Sequence, residues 1–88
     1  MTKFYLMIET YFYRIHDKSV QDELVKFNIA TKNTNGELLD SLLILKEILK
    51  LLKELQRRDE MVIFYYIVEL IVGIRYTNMF IVAFLGDV

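Results

Sequence analysis

The chain has 88 residues, 55% of them hydrophobic and 26% charged, with 11 Lys and Arg against 12 Asp and Glu. A chain this short buries only ~60% of the surface its unfolded form exposes, so residues 1–88 have room for a single domain with a marginal core. With no Cys the sequence excludes a disulfide framework and a cysteine metal centre, with His16 as its sole imidazole zinc is not expected, and so apolar a chain of near-zero net charge does not stay disordered.

Residues 3–17 fit a helical period: Phe4, Met7, Ile8, Tyr11, Phe12 and Ile15 share one face while Lys3, Glu9, Thr10, Arg14 and Asp17 share the other, with Leu6 as the exception. As a strand the segment would have to bury both faces. A helix capped by Thr2 is therefore expected. Glu9 interrupts the apolar run from Phe4 to Ile8 too early for a secretory h-region, so export by that route is not expected.

Ser19 with Asp22 and Glu23 reads as a second helix start, with Val20, Leu24, Phe27 and Thr31 on one face. The same region also alternates as a half-buried strand, since Val25, Phe27, Ile29 and Thr31 are interleaved with Lys26, Asn28, Ala30 and Lys32. Lys32-Asn33-Thr34-Asn35-Gly36 is the clearest loop, built from side chains that bond their own backbone and accept left-handed conformations.

From Glu37 to Arg58 strong helix formers fill almost every position. Leu38, Leu42, Leu45, Leu49 and Leu52 alternate in steps of four and three like a coiled-coil seam, and Ile48 and Leu55 widen the apolar face beyond a strict seam, which calls for more than one neighbour. Lys46, Lys50, Lys53 and Arg57 line another side at i, i+4, i+7 and i+11.

Met61 to Leu85 is apolar nearly all round, broken only by Glu69, Gly73, Arg75, Thr77 and Asn78. Its β-branched and aromatic content permits a hairpin turning at Thr77-Asn78. Asp59 as an N-cap for Met61–Tyr76, Asn78 as a cap for a last short helix and Gly86 as its end describe a helical alternative. The whole then reads as an all-α bundle of about four helices plus a terminal piece. The alternative is an α+β ββαββ module with helix 37–58 on a small antiparallel sheet.

Chemistry-bearing patterns are sparse. His16 and Asp17 are sequence neighbours, about 100 degrees apart on a helix, which is poor geometry for a base and its orienter. Ser19 and Ser41 sit in no nucleophile context, and there is no glycine-rich phosphate loop, so no enzyme, cofactor, metal or small-molecule substrate is expected. The Lys46, Lys50, Lys53, Arg57 stripe is a weak anion-binding candidate: five bases in 37–58 face Glu37, Asp40, Glu47 and Glu54, so a solvated Lys/Glu face outweighs a phosphate track and nucleic acid is an unlikely partner. Glu69 and Arg75 interrupt the most apolar stretch, where a charge is costly unless paired or wet; they are expected either at an interface or on an exposed surface.

Two functions follow. The first is a small cytoplasmic, non-enzymatic accessory protein that self-associates or docks an apolar helical face onto a larger protein, because an 88-residue globule cannot hide this many large apolar side chains. The leucine seam is its candidate interface. The second is a membrane-associated protein with 61–85 inserted, helix 37–58 along the interface and a pore-forming or immunity-type role; Glu69 and Arg75 count against it, each costing on the order of 2.5 to 3.5 kcal/mol on insertion scales.

Overall fold

A computed structural model describes residues 2–86. Among them are five α-helices, α1 (Thr2–Arg14), α2 (Lys18–Lys26), α3 (Ser41–Arg57), α4 (Met61–Val72) and α5 (Thr77–Leu85), with a 3-10 turn, Ile74–Tyr76, between the last two. The fold is all-α. Among the described residues nothing of the ββαββ alternative forms except one antiparallel bridge, Lys32 with Leu38.

The local chemistry explains where helices begin and end. Asp17, rather than Ser19, caps α2: its carboxylate accepts from the Ser19 backbone N–H and hydroxyl, each at 2.8 Å. The helix stops at Lys26 because Asn28 adopts φ +66°, which ends the expected run to Thr31. In the following loop Asn33 Oδ1 accepts from the N–H groups of Asn35 and Glu37 at 2.9 and 3.0 Å, and Gly36 supplies φ +81°, as its turn chemistry implies.

Helix α3 begins four residues later than the sequence suggests, because Asp40 accepts from Leu42 N–H at 2.8 Å while Leu39 N–H bonds back to Thr31. Leu38 therefore belongs to the loop and not to a helical seam. Asp59 is not an N-cap either: it takes φ +58° after the α3 C-terminus, and α4 starts after Glu60 without a side-chain cap. Asn78 likewise caps nothing, since α5 already begins at Thr77; Gly86 does end it. The Thr2 cap rests on a side chain outside the described residues.

Helix α4 is apolar over most of its surface because it is central, packing on α1, α2, α3 and α5, while Val62, Tyr65, Tyr66 and Glu69 make its exposed side. Phe64, Ile67, Val68 and Ile71 are completely enclosed and form one core with Ile15, Leu24, Ile44, Ile48 and Leu52. Each such side chain contributes about 1.5–3 kcal/mol.

At Gly73 the chain turns sharply, so that α4 and the Ile74–Leu85 segment stand at 115°. Gly73 has φ +79° and ψ 162°, a conformation essentially confined to glycine. Its carbonyl accepts from Tyr76 N–H at 3.2 Å and Thr77 Oγ1 at 2.9 Å, while Arg14 Nε donates to the Leu70 carbonyl at 2.9 Å, satisfying an orphan acceptor of the last α4 turn. Residues 61–85 thus do not form one straight helix. Among the described residues no single helix is long and apolar enough to cross a membrane; only the bent pair has the length and composition.

Candidate functional site

The molecule measures 38 × 32 × 19 Å, so its thin dimension is about two helix diameters. A slab two helices thick cannot enclose α3 on every side. Helices α1 and α5 pack on each other and on α4, and α3 packs on α4, but α3 does not pack closely against α1 or α5. The opening left between them is an apolar groove.

Its floor holds Met7, Tyr11 and Val72, all buried, around a recess of about 40 Å³. It widens into a second recess of about 220 Å³ between Phe4 and Ile8 of α1, Leu45 and Leu49 of α3, and Phe80 and Phe84 of α5. The α5 wall is rigid by aromatic packing: Phe80 and Phe84 stack at 6.2 Å, and Phe84 meets the enclosed Phe64 edge-on at 5.5 Å. Ala83 sits exposed on the same wall. Tyr11 anchors the α1 wall to the α3 N-terminus by donating its hydroxyl to the Ser41 carbonyl at 2.6 Å. Burial, and then the charge of Asp40, push this phenol above its ordinary range.

The groove continues onto a third recess of about 360 Å³ along α3, where Leu42, Leu45 and Leu49 lie beside Lys46, Lys50 and Lys53. Here the predicted leucines and lysines come together, although not as a uniform seam. Leu52 is fully enclosed and belongs to the core, Leu45 and Leu49 are half-buried between core and groove, and Leu42 is 60% exposed. The core edge of α3 is instead Ile44, Ile48, Leu52 and Leu55.

The basic stripe divides too. Lys50 Nζ lies 3.3 Å from Glu47, whereas Lys46 and Lys53 make no ion pair among the described residues. Arg57 leaves the stripe for Glu54, which Arg58 also reaches at 3.0 Å; the Arg57 hydrogen bond leads in holding that carboxyl below its usual range.

Glu69 and Arg75 are both exposed, so neither is a buried charge, and they make no ion pair with each other. Glu69 borders a notch with Arg14, Tyr66 and Leu70 that shares no lining residue with the groove. Tyr66 donates to Glu23 at 2.6 Å there. His16 is exposed with Nδ1 2.8 Å from the Phe12 carbonyl, and Asp17 Oδ1 accepts both bonds of the α2 cap, so neither side chain is directed at the other. No group of three or more metal-ligating side chains is assembled among the described residues.

Sequence reasoning placed Phe4 and Ile8 on the apolar face of α1 but did not assign them, Phe80 or Phe84 to a site. The width of that α1 face was the available signal. Comparison with protein-family models, with curated proteins and with solved structures finds no match to the chain.

Proposed function

We propose that this chain is a small non-enzymatic docking protein, and that the α1/α3/α5 groove is the surface with which it binds a larger protein. One observation carries the reading: half-buried and exposed apolar side chains of three helices, Phe4 and Ile8, Leu42, Leu45 and Leu49, and Phe80 and Ala83 among them, form a continuous concave lining with cations on one bank. Isolated exposed apolar residues such as Val62 or Ile74 are ordinary, whereas a contiguous patch marks an interaction site. Insertion of 61–85 into a bilayer draws less support, because that segment supplies Phe64, Ile67, Val68 and Ile71 to the protein core and is bent at Gly73.

The test combines light scattering and circular dichroism in detergent-free buffer with photo-crosslinking in the source cells. A crosslinking amino acid at Ala83, in the groove, is compared with one at Tyr13, which is 82% exposed elsewhere. A discrete heavier adduct from position 83 and none from position 13 is expected. Recovery of the protein only in detergent, with crosslinks to lipid, refutes the reading.

A further inference from the structure

Resting on that docking reading, we infer that the groove accepts an amphipathic helix whose apolar stripe is flanked by carboxylates, docked alongside α3 with its acidic edge on Lys46, Lys50 and Lys53.

The geometry limits the occupant. The three lysines cover two turns of α3, about 10 Å of axial rise. Counting Leu42, Leu45, Leu49 and Leu52 as a heptad seam puts Lys46 and Lys53 at the e positions, the places from which coiled coils pair charges across to a neighbouring helix. Of the three, those two make no intramolecular ion pair among the described residues. Among the described residues no acidic side chain lines any of the three recesses of the groove. The apolar lining thus meets a cationic bank on which, among the described residues, only Lys50 has a counter-charge, Glu47, and the complement that Lys46 and Lys53 lack is a carboxylate at helical spacing.

A second copy of this face is a poor complement. Two α3 helices pairing antiparallel through their seams set e against e, lysine against lysine. A bilayer surface fits less well than a helix because Met7, Tyr11 and Val72 lie at the bottom of a recess, where side-chain knobs reach and a flat headgroup plane does not. The net charge of the chain is −1, so general electrostatic attraction does not favour an acidic ligand; a preference for one has to come from the local row.

The experiment uses the full chain and two labelled peptides of about 18 residues, five turns, with the same leucine stripe, one carrying Glu and the other Lys at the flanking positions. Fluorescence anisotropy is read at low and high salt. The Glu peptide is expected to bind about tenfold more tightly than the Lys peptide, with the difference shrinking as salt rises. Lys46→Glu with Lys53→Glu, both exposed substitutions that leave the circular dichroism unchanged, should invert the preference. Ala83→Glu, placed on the opposite wall, should abolish binding of the Glu peptide.

Equal binding of both peptides, lost in the Ala83 variant, overturns the acidic-helix assignment while leaving groove docking standing. Lysine-dependent binding to vesicles of about 30% phosphatidylserine, with neither peptide bound, overturns it in favour of a membrane surface. A dimer broken by Ala83→Glu, again with no peptide bound, overturns it in favour of self-association. A monomer that binds no probe overturns the acidic helix, and the crosslinking experiment then decides whether docking itself fails.

Discussion

Replacing Gly73 with alanine separates the bent, packed arrangement of the C-terminal half from a straight one. The glycine's φ of +79° with ψ of 162° costs a residue bearing a Cβ about 1–3 kcal/mol. Space is not the obstacle, since an added Cβ meets only Arg14 Nη1 at 3.8 Å and Cδ at 4.0 Å, ordinary contact distances. In a continuous helix over 61–85 the same substitution is favourable by about 1 kcal/mol. The gap between the two arrangements therefore narrows by about 2–4 kcal/mol. Straightening would lift Thr77 and Ile81 out of the core and strip Phe84 from Phe64, so the packed state should survive but weaken. In urea titrations followed by circular dichroism the midpoint of Gly73→Ala is expected to fall by about 1–2 M. An unchanged or raised midpoint, with more helix and partition into detergent micelles, would refute the corner as the working conformation and revive the spanning one.

Other substitutions test other links. Tyr11→Phe removes the bond to the Ser41 carbonyl and should cost about 1 kcal/mol at neutral pH in urea melts. Because folding raises the Tyr11 pKa, the unfolded chain loses that proton first; the stabilisation is complete below the ordinary phenol range near pH 10 and is lost as pH rises through and beyond it. The wild type minus Tyr11→Phe difference should accordingly shrink at alkaline pH, and a growing difference would contradict the assignment. Leu52→Ala should cost about 2–5 kcal/mol and Leu42→Ala under about 0.5 kcal/mol, since one is enclosed and the other mostly exposed; equal thermal shifts would show that the seam is uniform after all. Arg14→Gln, which unbinds the α4 C-terminus, should cost about 1.5–3 kcal/mol with little salt dependence; chemical denaturation at low and high salt checks both halves.

Much of the helical layout was readable because the relevant interactions are local. The face shared by Met7, Tyr11 and Ile15, the loop at Asn33 and Gly36, and the stop at Gly86 all depend on residues within a few positions of each other. Helix boundaries were read less well where two caps compete: Ser19 and Asp17 are both acceptable, and only the backbone path decides for Asp17. The orientation of α3 was readable only in part, with Ile48, Leu52 and Leu55 on the expected apolar side. Apolar residues at 42 to 45, 48, 49, 51, 52 and 55 occupy so much of its circumference that periodicity does not say which sector meets the core, and Ile44 went unassigned. Arg14 looked like one more polar residue of α1, since its acceptor lies 56 residues away.

That ambiguity in α3 is itself informative about the groove. A helix needed only for the core would have polar residues beyond the edge marked by Ile44, Ile48, Leu52 and Leu55. On α3 the apolar surface instead continues through Leu45 and Leu49 to Leu42, and the lysines begin only after it. The α1 and α5 walls repeat the pattern, with Met7 and Ile81 buried while Phe4 and Ala83 remain open to solvent. Leucine and phenylalanine this exposed, Leu42 at 60% and Phe4 at 46%, add little to the stability of the isolated chain. Three helices carry the same excess toward the same opening. On the docking proposal a shared ligand accounts for that convergence, whereas core packing alone would have left the three outer edges unrelated.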